Sequence, residues 1–229
     1  MLQRALAVED KEERKQELLD AVEKLYLAHP DRMPSVAEVA EKAGLAKGTV
    51  YLYFATKEEM LLDLHQRHVA HYFSMLMKKL AEPGPLTFDE IFAVTRDHMI
   101  RVPGYLALCS HCFAQMEREL SFEPAIAFKA RVAQTLTIAG AALERHFPTL
   151  GPGGGVTILM HSYGLIAGLW QLLHPNERFE KALERPELSI LKRDYEHDVE
   201  KALRSLWGGM LNPEVRVNPI PKHSKGSKQ

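Results

Sequence analysis

Apolar residues recur at spacings of three and four along most of the chain, and apolar and polar residues do not alternate for long in any segment. This period is typical of amphipathic α-helices and argues against β-strands. Proline and glycine separate the segments, most clearly at Pro83-Gly84-Pro85 and in the glycine-rich stretch at 151–155. The pattern predicts an all-α protein with helices over residues 11–28, 36–43, 46–53, 57–80, 88–101, 104–119, 125–147, 156–173 and 189–209.

Residues 35–53 contain two short predicted helices joined by a tight turn. Ser35 and Glu38 have the spacing of a capping box, in which two side chains satisfy free backbone N–H groups at a helix N-terminus. Gly44 lies where a left-handed residue commonly ends a helix. The second helix begins at Ala46. This arrangement predicts a helix-turn-helix, whose second helix enters the major groove of DNA.

The second helix has one apolar face and one face suited to DNA. At 100° per residue, Val50 and Phe54 lie on the same side and are expected to pack in the core. The opposite side is centred on Gly48, which allows close approach of the backbone, and on Leu52, which can contact a thymine methyl. Four polar side chains border this centre: Lys47, Thr49, Tyr51 and Tyr53. A hydrophobic helix corner with scattered polar residues is the alternative.

A third helix is predicted to begin after Thr56, which has the capping-box spacing to Glu59. Lys57 lies in its first turn, where the helix dipole disfavours a cation by about 0.3–1 kcal/mol. A lysine there is favourable if it meets a DNA phosphate together with the free N–H groups, and an exposed lysine without a role is the alternative.

Positive charge near the helix-turn-helix is local. Residues 1–60 carry nine Lys or Arg and twelve Asp or Glu, but 42–57 contains three lysines and no acid. The basic patch is therefore local.

Composition narrows the class of protein. The chain has 229 residues, 46% of them hydrophobic, and its 29 basic and 30 acidic residues give a formal net charge of −1. This balance excludes a wholly disordered chain and a protein that coats nucleic acid through bulk charge. Two cysteines and no visible secretory signal favour a reducing compartment, so we expect a cytoplasmic protein. The apolar segment 156–173 contains polar residues, and we expect a buried helix there and no contact with a membrane.

The segment AEKAGLAKGTVYLYFATKEEMLLDL resembles the signature of TetR-type transcriptional regulators, the tetracycline-repressor and AcrR-like family. The resemblance covers about residues 11–65. It implies a homodimer with an N-terminal three-helix domain that contains the helix-turn-helix, and a larger C-terminal helical domain for effector binding and dimerisation. The expected boundaries are 1–65 for the DNA-binding domain, 66–212 for the effector-binding and dimerisation domain, and 213–229 for a basic flexible tail.

The resemblance also implies which residues touch DNA. Positions that contact DNA in the family match Ser35, Lys47, Gly48, Thr49, Tyr51, Tyr53 and Lys57, and Leu52 joins them through its place on the helix. We therefore expect sequence-specific binding to double-stranded DNA with a palindromic or pseudo-palindromic operator. The family expectation is a repressor that a small apolar effector releases. One departure from the family is Ala46, because Ser or Thr usually opens the recognition helix.

Two regions of the C-terminal part are assigned roles with the help of the resemblance. Region 88–119 combines Met and aromatic residues with a few polar groups, a composition that suits binding of an apolar ligand with one polar group. Packing of these residues in the hydrophobic core is the alternative. The predicted effector-binding residues are Phe92, His98, Met99, Tyr105, Leu108, His111, Cys112, Met116 and Trp170. Helices 156–173 and 189–209 resemble the family's dimer-forming pair, with packing inside one subunit as the alternative. The predicted interface residues are Gly164, Ala167, Gly168, Tyr195 and Leu206.

Two alternatives of other classes remain open. One is a helical redox or metal protein that uses His98, His111, Cys109 and Cys112. A closed zinc site usually takes four ligands from two separated pairs, and a thioredoxin-like site needs strands around its cysteines. The other is an architectural helical dimer without an effector.

Three histidines invite a metal hypothesis of their own. His65, His68 and His71 extend over about 9 Å of a helix at 1.5 Å per residue, too far for all three to bind one ion. We expect them on a solvated face. The sequence as a whole predicts no enzyme activity, no metal and no cofactor.

Overall fold

The computed structural model describes residues 2–29, 32–119, 122–175 and 177–212. Over these ranges the chain forms α-helices and no β-strand, which confirms the all-α class. The helices are α1 (Leu2–Ala28), α2 (Val36–Lys42), α3 (Lys47–Val50), α4 (Lys57–Leu80), α5 (Phe88–Thr95), α6 (Tyr105–Glu119), α7 (Phe122–His146), α8 (Gly154–Leu173), α9 (Glu177–Ala182) and α10 (Tyr195–Leu211). A π-helical turn, Arg96–Ile100, extends α5. The predicted basic tail at 213–229 lies outside the described residues.

Two helices start far from where they are expected: α1 begins at Leu2, nine residues before the predicted start, and the last helix begins later than predicted. The sequence pattern places its start at residue 189, but α10 begins at Tyr195 and residues Pro186–Leu191 form a 3₁₀ helix. Asp194 determines this start because its carboxylate accepts a hydrogen bond from the backbone N–H of His197 at 2.6 Å. The short α9 is not predicted by the sequence pattern.

An N-terminal hydrophobic cluster packs α1, α2 and α3 against the first half of α4. Among its buried members are Leu18, Val22, Val39, Val50, Phe54, Met60 and Leu64. Leu108 and Cys112 of α6 and Phe128 of α7 complete this cluster. The core of the helix-turn-helix region is therefore continuous with helices that follow α4.

A C-terminal hydrophobic cluster fills the space between the second half of α4 and helices α5, α6, α7, α8 and α10. Among its buried members are Tyr72, Leu76, Phe92, Met99, Tyr105, Cys109, Leu143, Ile158 and Trp207. Helices α4 and α6 contribute to both clusters. A displacement of either helix therefore affects both ends of the molecule.

Helices α7 and α8 touch backbone to backbone. A Cβ added to Gly155 would lie 2.1 Å from the carbonyl oxygen of Gly140, so only glycine fits there. The Glu144 carboxylate accepts a hydrogen bond from the Gly155 N–H at 3.0 Å. Helix α10 packs on α8, where Trp207 donates its indole N–H to Ser162 Oγ at 3.0 Å. These contacts fix three of the C-terminal helices relative to one another.

Candidate functional site

Helix α2 begins with the capping box that the sequence predicts. Ser35 Oγ accepts a hydrogen bond from the Glu38 N–H at 3.3 Å, and the Glu38 carboxylate accepts one from the Ser35 N–H at 2.9 Å. Arg32 also donates to this carboxylate, and that hydrogen bond is the main reason why the pKa of Glu38 falls to about 2. Ser35 is thereby held at the helix entrance with its side chain exposed.

A glycine turn sets the direction of α3. Gly44 has a φ of +67°, which favours glycine, and the N–H of Leu45 donates to the carbonyl of Ala40 at 2.8 Å. Ala46 has the extended backbone of an N-cap, but its side chain accepts no hydrogen bond from the helix. The start of the recognition helix and its missing cap are as predicted. Helical geometry ends at Val50, earlier than the predicted residue 53, and the chain continues as turns.

The two faces of the recognition helix separate as the sequence predicts. Val50 and Phe54 are 0% and 1% exposed, so they pack in the core. On the other side Tyr51 is 48% and Leu52 is 73% exposed, and a Cβ on Gly48 would meet no atom within 4 Å. A single exposed leucine is ordinary on a protein surface, but together with open Gly48 and exposed Tyr51 it forms a surface that fits the groove of DNA.

Polar groups surround this exposed centre. Lys47 is exposed, and its Nζ lies 6.0 Å from the centre of the Tyr51 ring, within cation–π distance. Thr49 and Tyr53 are half-buried. The polar side chains therefore border the same open surface as the residues at its centre.

Helix α4 presents Lys57 in its first turn. Thr56 Oγ1 accepts a hydrogen bond from the Glu59 N–H at 3.1 Å, but the Glu59 carboxylate accepts from the Ala55 N–H at 2.9 Å and not from the N–H of Thr56. The predicted second capping box is therefore only half formed, because Glu59 binds the backbone of the residue before the N-cap. Lys57 is exposed, and its Nζ lies 3.4 Å from the Glu58 carboxylate, which offsets its unfavourable position at the positive end of the helix.

Acidic residues of α1 lie on two sides of the helix. Arg67 of α4 donates to Asp20 and Glu23, both at 2.6 Å, and this pairing joins α1 to α4. Nearer the N-terminus of α1, a cleft of about 740 Å³ separates that helix from the end of the recognition helix and is lined by Asp10, Lys11, Glu13, Arg14, Glu17, Leu52 and Tyr53. This end of the open surface therefore carries mixed charge, whereas Lys47 and Lys57 are exposed cations at its other end.

The apolar members of the predicted effector set are core residues in two different places. Phe92, Met99 and Tyr105 are buried in the C-terminal cluster. Leu108 and Cys112 are buried in the N-terminal cluster. The set therefore extends across the contact between the two clusters.

Two predicted effector residues pair with side chains of other helices. His98 lies near the surface with its Nδ1 3.3 Å from Nε2 of His71 on α4. His111 Nδ1 lies 3.2 Å from the hydroxyl of Tyr26 on α1. Each histidine thus has a partner outside the region 88–119 in which the sequence places the ligand.

Trp170 does not join the other predicted effector residues. Trp170 stacks on His174, with 3.4 Å between ring centres, and packs edge-on against Tyr195 near the end of α8. The side chain of Met116 lies outside the part of the chain whose side chains are described. Trp170 is thus placed with α10 and not with α6.

His65 is buried, and its expected place on a solvated face is wrong. It is 4% exposed and lies between the rings of Tyr105 and Phe128, at 5.7 Å from each ring centre. Burial lowers the pKa of His65 to about 4. His68 is half-buried and His71 is exposed. Helical spacing carries no signal for the burial of His65, because its neighbours come from α6 and α7.

Both cysteines are free and buried. Burial raises the pKa of Cys109 to about 11 and that of Cys112 to about 12, so both are protonated thiols. The thiolate is the nucleophile and the metal ligand. In the described part of the chain, no three His, Cys, Asp or Glu side chains are placed to hold a metal ion. The redox or metal alternative therefore has no support.

The outer face of α8 is apolar and open. Gly164 and Gly168 are exposed, and a Cβ on either would meet no atom within 4 Å. Met160 is 57% and Leu172 is 71% exposed on the same helix. Ala167 is half-buried between them. The expected buried helix is thus buried on one side only.

Helix α10 lies beside α8 and shares this exposure. Tyr195 donates its hydroxyl to the Ile166 carbonyl at 3.0 Å, and Leu206 is half-buried against the C-terminal cluster. Gly208 and Gly209 have open space where a Cβ would stand. By length and composition alone α8 is apolar enough to cross a membrane, with a mean hydropathy of 1.4 over 18 residues of which 17% are buried. A single helix of this kind is weak evidence for a span.

Comparison with known protein families accounts for both halves of the chain. The model described as bacterial regulatory proteins, tetR family, matches residues 18–64. The model described as tetracyclin repressor-like, C-terminal domain, matches residues 66–214, which is more than half of the chain. The chain belongs to the TetR family. It is a DNA-binding transcriptional regulator with a helix-turn-helix domain and a ligand-binding C-terminal domain.

A curated relative is similar over a shorter segment. The fatty acid metabolism regulator protein of Bacillus subtilis (strain 168) is 27% identical over 66 residues. These residues are 29% of this TetR-family chain and 34% of the relative. The match spans about a third of that protein, so it supports a common class of regulator.

Proposed function

We propose that this TetR-family regulator is a repressor that binds its operator as a homodimer and is released by a small apolar effector. The open face of α3 carries the DNA-binding part of the proposal. Its centre, Gly48 and Leu52, is exposed while the opposite side is fully buried. The proposed DNA contacts are Ser35, Lys47, Gly48, Thr49, Tyr51, Leu52, Tyr53 and Lys57.

The homodimer is supported by the open faces of α8 and α10. Glycines on both helices leave room for a helix of a second chain to approach closely, and Met160 and Leu172 are apolar groups that such contact would bury. Two helices from each chain would form a four-helix bundle around a two-fold axis. Ala167, Tyr195 and Leu206 flank this surface. Burial against a second chain explains the apolar face of α8 without a membrane.

The proposed division of the chain places residues 1–65 in the DNA-binding domain and 66–212 in the effector-binding and dimerisation domain. Helix α4 crosses the boundary and has buried residues in both hydrophobic clusters. An effector that displaces α4 changes the distance between the two recognition helices of the dimer. These helices must lie about one turn of DNA apart, or a multiple of it, to contact both half-sites.

We propose that the protein regulates transcription by binding DNA and an effector, without a catalytic step. The similarity to the fatty acid regulator covers 66 residues, so we take from it the class of regulator and not the effector. A cytoplasmic location follows from the proposed access to chromosomal DNA.

The proposal is tested by fluorescence anisotropy with duplex DNA from upstream of the gene that encodes the chain. We expect saturable binding of two chains per duplex, tighter than binding to a shuffled duplex of equal length. A reporter gene fused to the same DNA should be expressed less when the protein is present. Equal affinity for both duplexes over a range of salt concentrations, or increased reporter expression, contradicts the proposal.

A further inference from the structure

Three buried polar atoms lack hydrogen-bond partners among the residues that the structure describes. They are Nδ1 and Nε2 of His65 and the hydroxyl oxygen of Tyr105. The two rings stack with 5.7 Å between their centres and 15° between their planes, and the residues are 4% and 1% exposed. Buried polar groups are almost always hydrogen-bonded in folded proteins, because an unpaired one costs free energy. Two adjacent residues with unpaired groups therefore indicate a missing partner.

The groups around these atoms are polar but uncharged. Burial and the neighbouring Cys109 thiol raise the pKa of Tyr105 and of Tyr163, so both phenols stay protonated. The Cys109 thiol and the Tyr163 hydroxyl lie close to the Tyr105 oxygen, but a thiol is a weak hydrogen-bonding group and neither makes a hydrogen bond of normal geometry to this oxygen. His65, Tyr105, Cys109 and Tyr163 are named the buried polar cluster below. They come from α4, α6 and α8.

Charged groups lie at one edge of the buried polar cluster. His68 packs against Tyr105, with 5.2 Å between ring centres, and its Nε2 is 2.9 Å from the Glu23 carboxylate. Arg67 binds the same carboxylate at 2.6 Å. Arg67 also binds the more exposed Asp20 at 2.6 Å, so in the described part of the chain each charge at this edge already has a partner and none is left to pair with an ionised ligand.

The buried polar cluster lies where the two hydrophobic clusters meet. Tyr105 and Cys109 belong to the C-terminal cluster, whereas Leu64, Leu108 and Phe128, adjacent in sequence or in contact, belong to the N-terminal one. His65 is eight residues from Lys57, or about 12 Å along α4 at 1.5 Å per residue. A ligand held there contacts the helix whose first turn faces DNA.

We propose that the buried polar cluster binds the head group of the effector, and that this head group is an uncharged hydrogen-bonding group, a hydroxyl or a carboxamide, on an apolar body. A neutral imidazole offers one donor and one acceptor, and the Tyr105 hydroxyl can take either role. A hydroxyl or carboxamide both donates and accepts, so it pairs with both residues. A carboxylate or ammonium would be buried without a counter-charge, which is strongly unfavourable. This inference rests on the proposed effector response.

The first experiment compares two buried tyrosines in the full-length protein without ligand. The Tyr72 hydroxyl is hydrogen-bonded to Thr95 Oγ1 at 3.2 Å, whereas that of Tyr105 has no partner. Tyr72→Phe should lower the melting temperature by about 2–4 °C, the usual effect of one lost hydrogen bond in a chain of this size. Tyr105→Phe should melt at or above the wild type. A loss in Tyr105→Phe equal to that in Tyr72→Phe overturns the proposal, because the hydroxyl would then already have a partner.

The second experiment uses four probes that share a ten-carbon chain and differ in the head group: 1-decanol, decanamide, decanoate and decyltrimethylammonium. They are compared at pH 7.5 and at one concentration, below the solubility limits of the two neutral probes and the micelle thresholds of the two ionic ones. The first two should raise the melting temperature of the wild type and of Tyr72→Phe. The rise should be absent in Tyr105→Phe and in His65→Leu. Equal stabilisation by decanoate or by the ammonium, no stabilisation by any probe, or an undiminished response in both variants overturns the proposal.

A third measurement separates this inference from the function on which it rests. Anisotropy with the upstream duplex reports DNA binding for the same variants and probes. Stabilisation by 1-decanol that depends on His65 and Tyr105, without release of DNA, supports the head-group site and contradicts the effector response. If the protein binds no duplex with sequence specificity, the proposed function is contradicted. The two melting experiments then still decide whether the buried polar cluster binds the head group.

Discussion

Tyr26 of α1 and His111 of α6 are joined across the molecule, with 3.2 Å between the phenolic oxygen and Nδ1. They are 85 residues apart in sequence. The loop before α6 also packs closely on α1: a Cβ added to Gly104 would lie only 2.7 Å from the side chain of Leu27. The helix that carries the N-terminal cluster is thereby fastened to the start of α6.

Tyr26→Phe should remove this hydrogen bond and leave the packing of the ring unchanged. We expect the free energy of unfolding to fall by about 0.5–1.5 kcal/mol, the net value of one hydrogen bond. Urea unfolding followed by circular dichroism measures it. Tyr51→Phe, at a 48% exposed position, is the control and should change stability little. If Tyr26→Phe is as stable as the wild type, the hydrogen bond to His111 stabilises the folded chain no more than water stabilises the same hydroxyl in the unfolded chain.

Lys57 should contribute to DNA binding without reading the sequence. Lys57→Ala should weaken binding to all duplexes and reduce the slope of log K against log salt by about one unit, because one phosphate contact is lost. Lys78→Ala, at the opposite end of α4, is the matched control and should leave the slope unchanged. Anisotropy titrations at four salt concentrations measure both slopes. An unchanged slope in Lys57→Ala removes this residue from the interface.

Local chemistry explains which parts of the site the sequence predicts. Gly44, Ala46 and Val50 are predicted correctly because turn, cap and inner face each depend on residues within one or two helical turns. The burial of His65 depends on Tyr105 and Phe128, 40 and more residues away, and no local period encodes which helix will cover a given face. The scatter of the predicted effector residues has the same cause: one amphipathic helix, α6, serves two clusters.

Ala46 leaves the first turn of the recognition helix without a side-chain cap. Ala46→Ser should provide the missing acceptor for a free N–H and raise the free energy of unfolding by about 0.5–2 kcal/mol. Amide exchange at Gly48–Val50 should slow. Ala70→Ser, in the middle of α4, is the control and should be neutral or slightly destabilising. A melting temperature of Ala46→Ser at or below that of the wild type would mean that another group already caps this turn.

His65 should make the protein less stable in mild acid. Its pKa is about 4 in the folded chain because of burial and about 6.5 when unfolded, so the unfolded chain binds more protons between these values. Stability therefore falls as the pH decreases through this range, by about 2–3 kcal/mol between pH 7 and pH 4.5. In His65→Leu this part of the loss should disappear, whereas Tyr105→Phe keeps His65 and should keep the loss. Denaturant unfolding at the two pH values measures the difference, and identical losses in His65→Leu and the wild type contradict the assignment.

Gly168 tests the proposed dimer. Its side of α8 is open in one chain, so Gly168→Leu adds volume that the single chain accepts but a packed helix pair does not. Overpacking of this kind costs about 1–3 kcal/mol, which corresponds to a weakening of dimerisation by about one to two orders of magnitude. Sedimentation equilibrium should show more monomer, and operator affinity should fall with it, because one chain contacts one half-site only. Ala133→Leu, exposed on α7, adds an apolar side chain away from the proposed interface and should remain dimeric. A fully dimeric Gly168→Leu protein would place the interface on another surface, and the apolar face of α8 would then need a different partner.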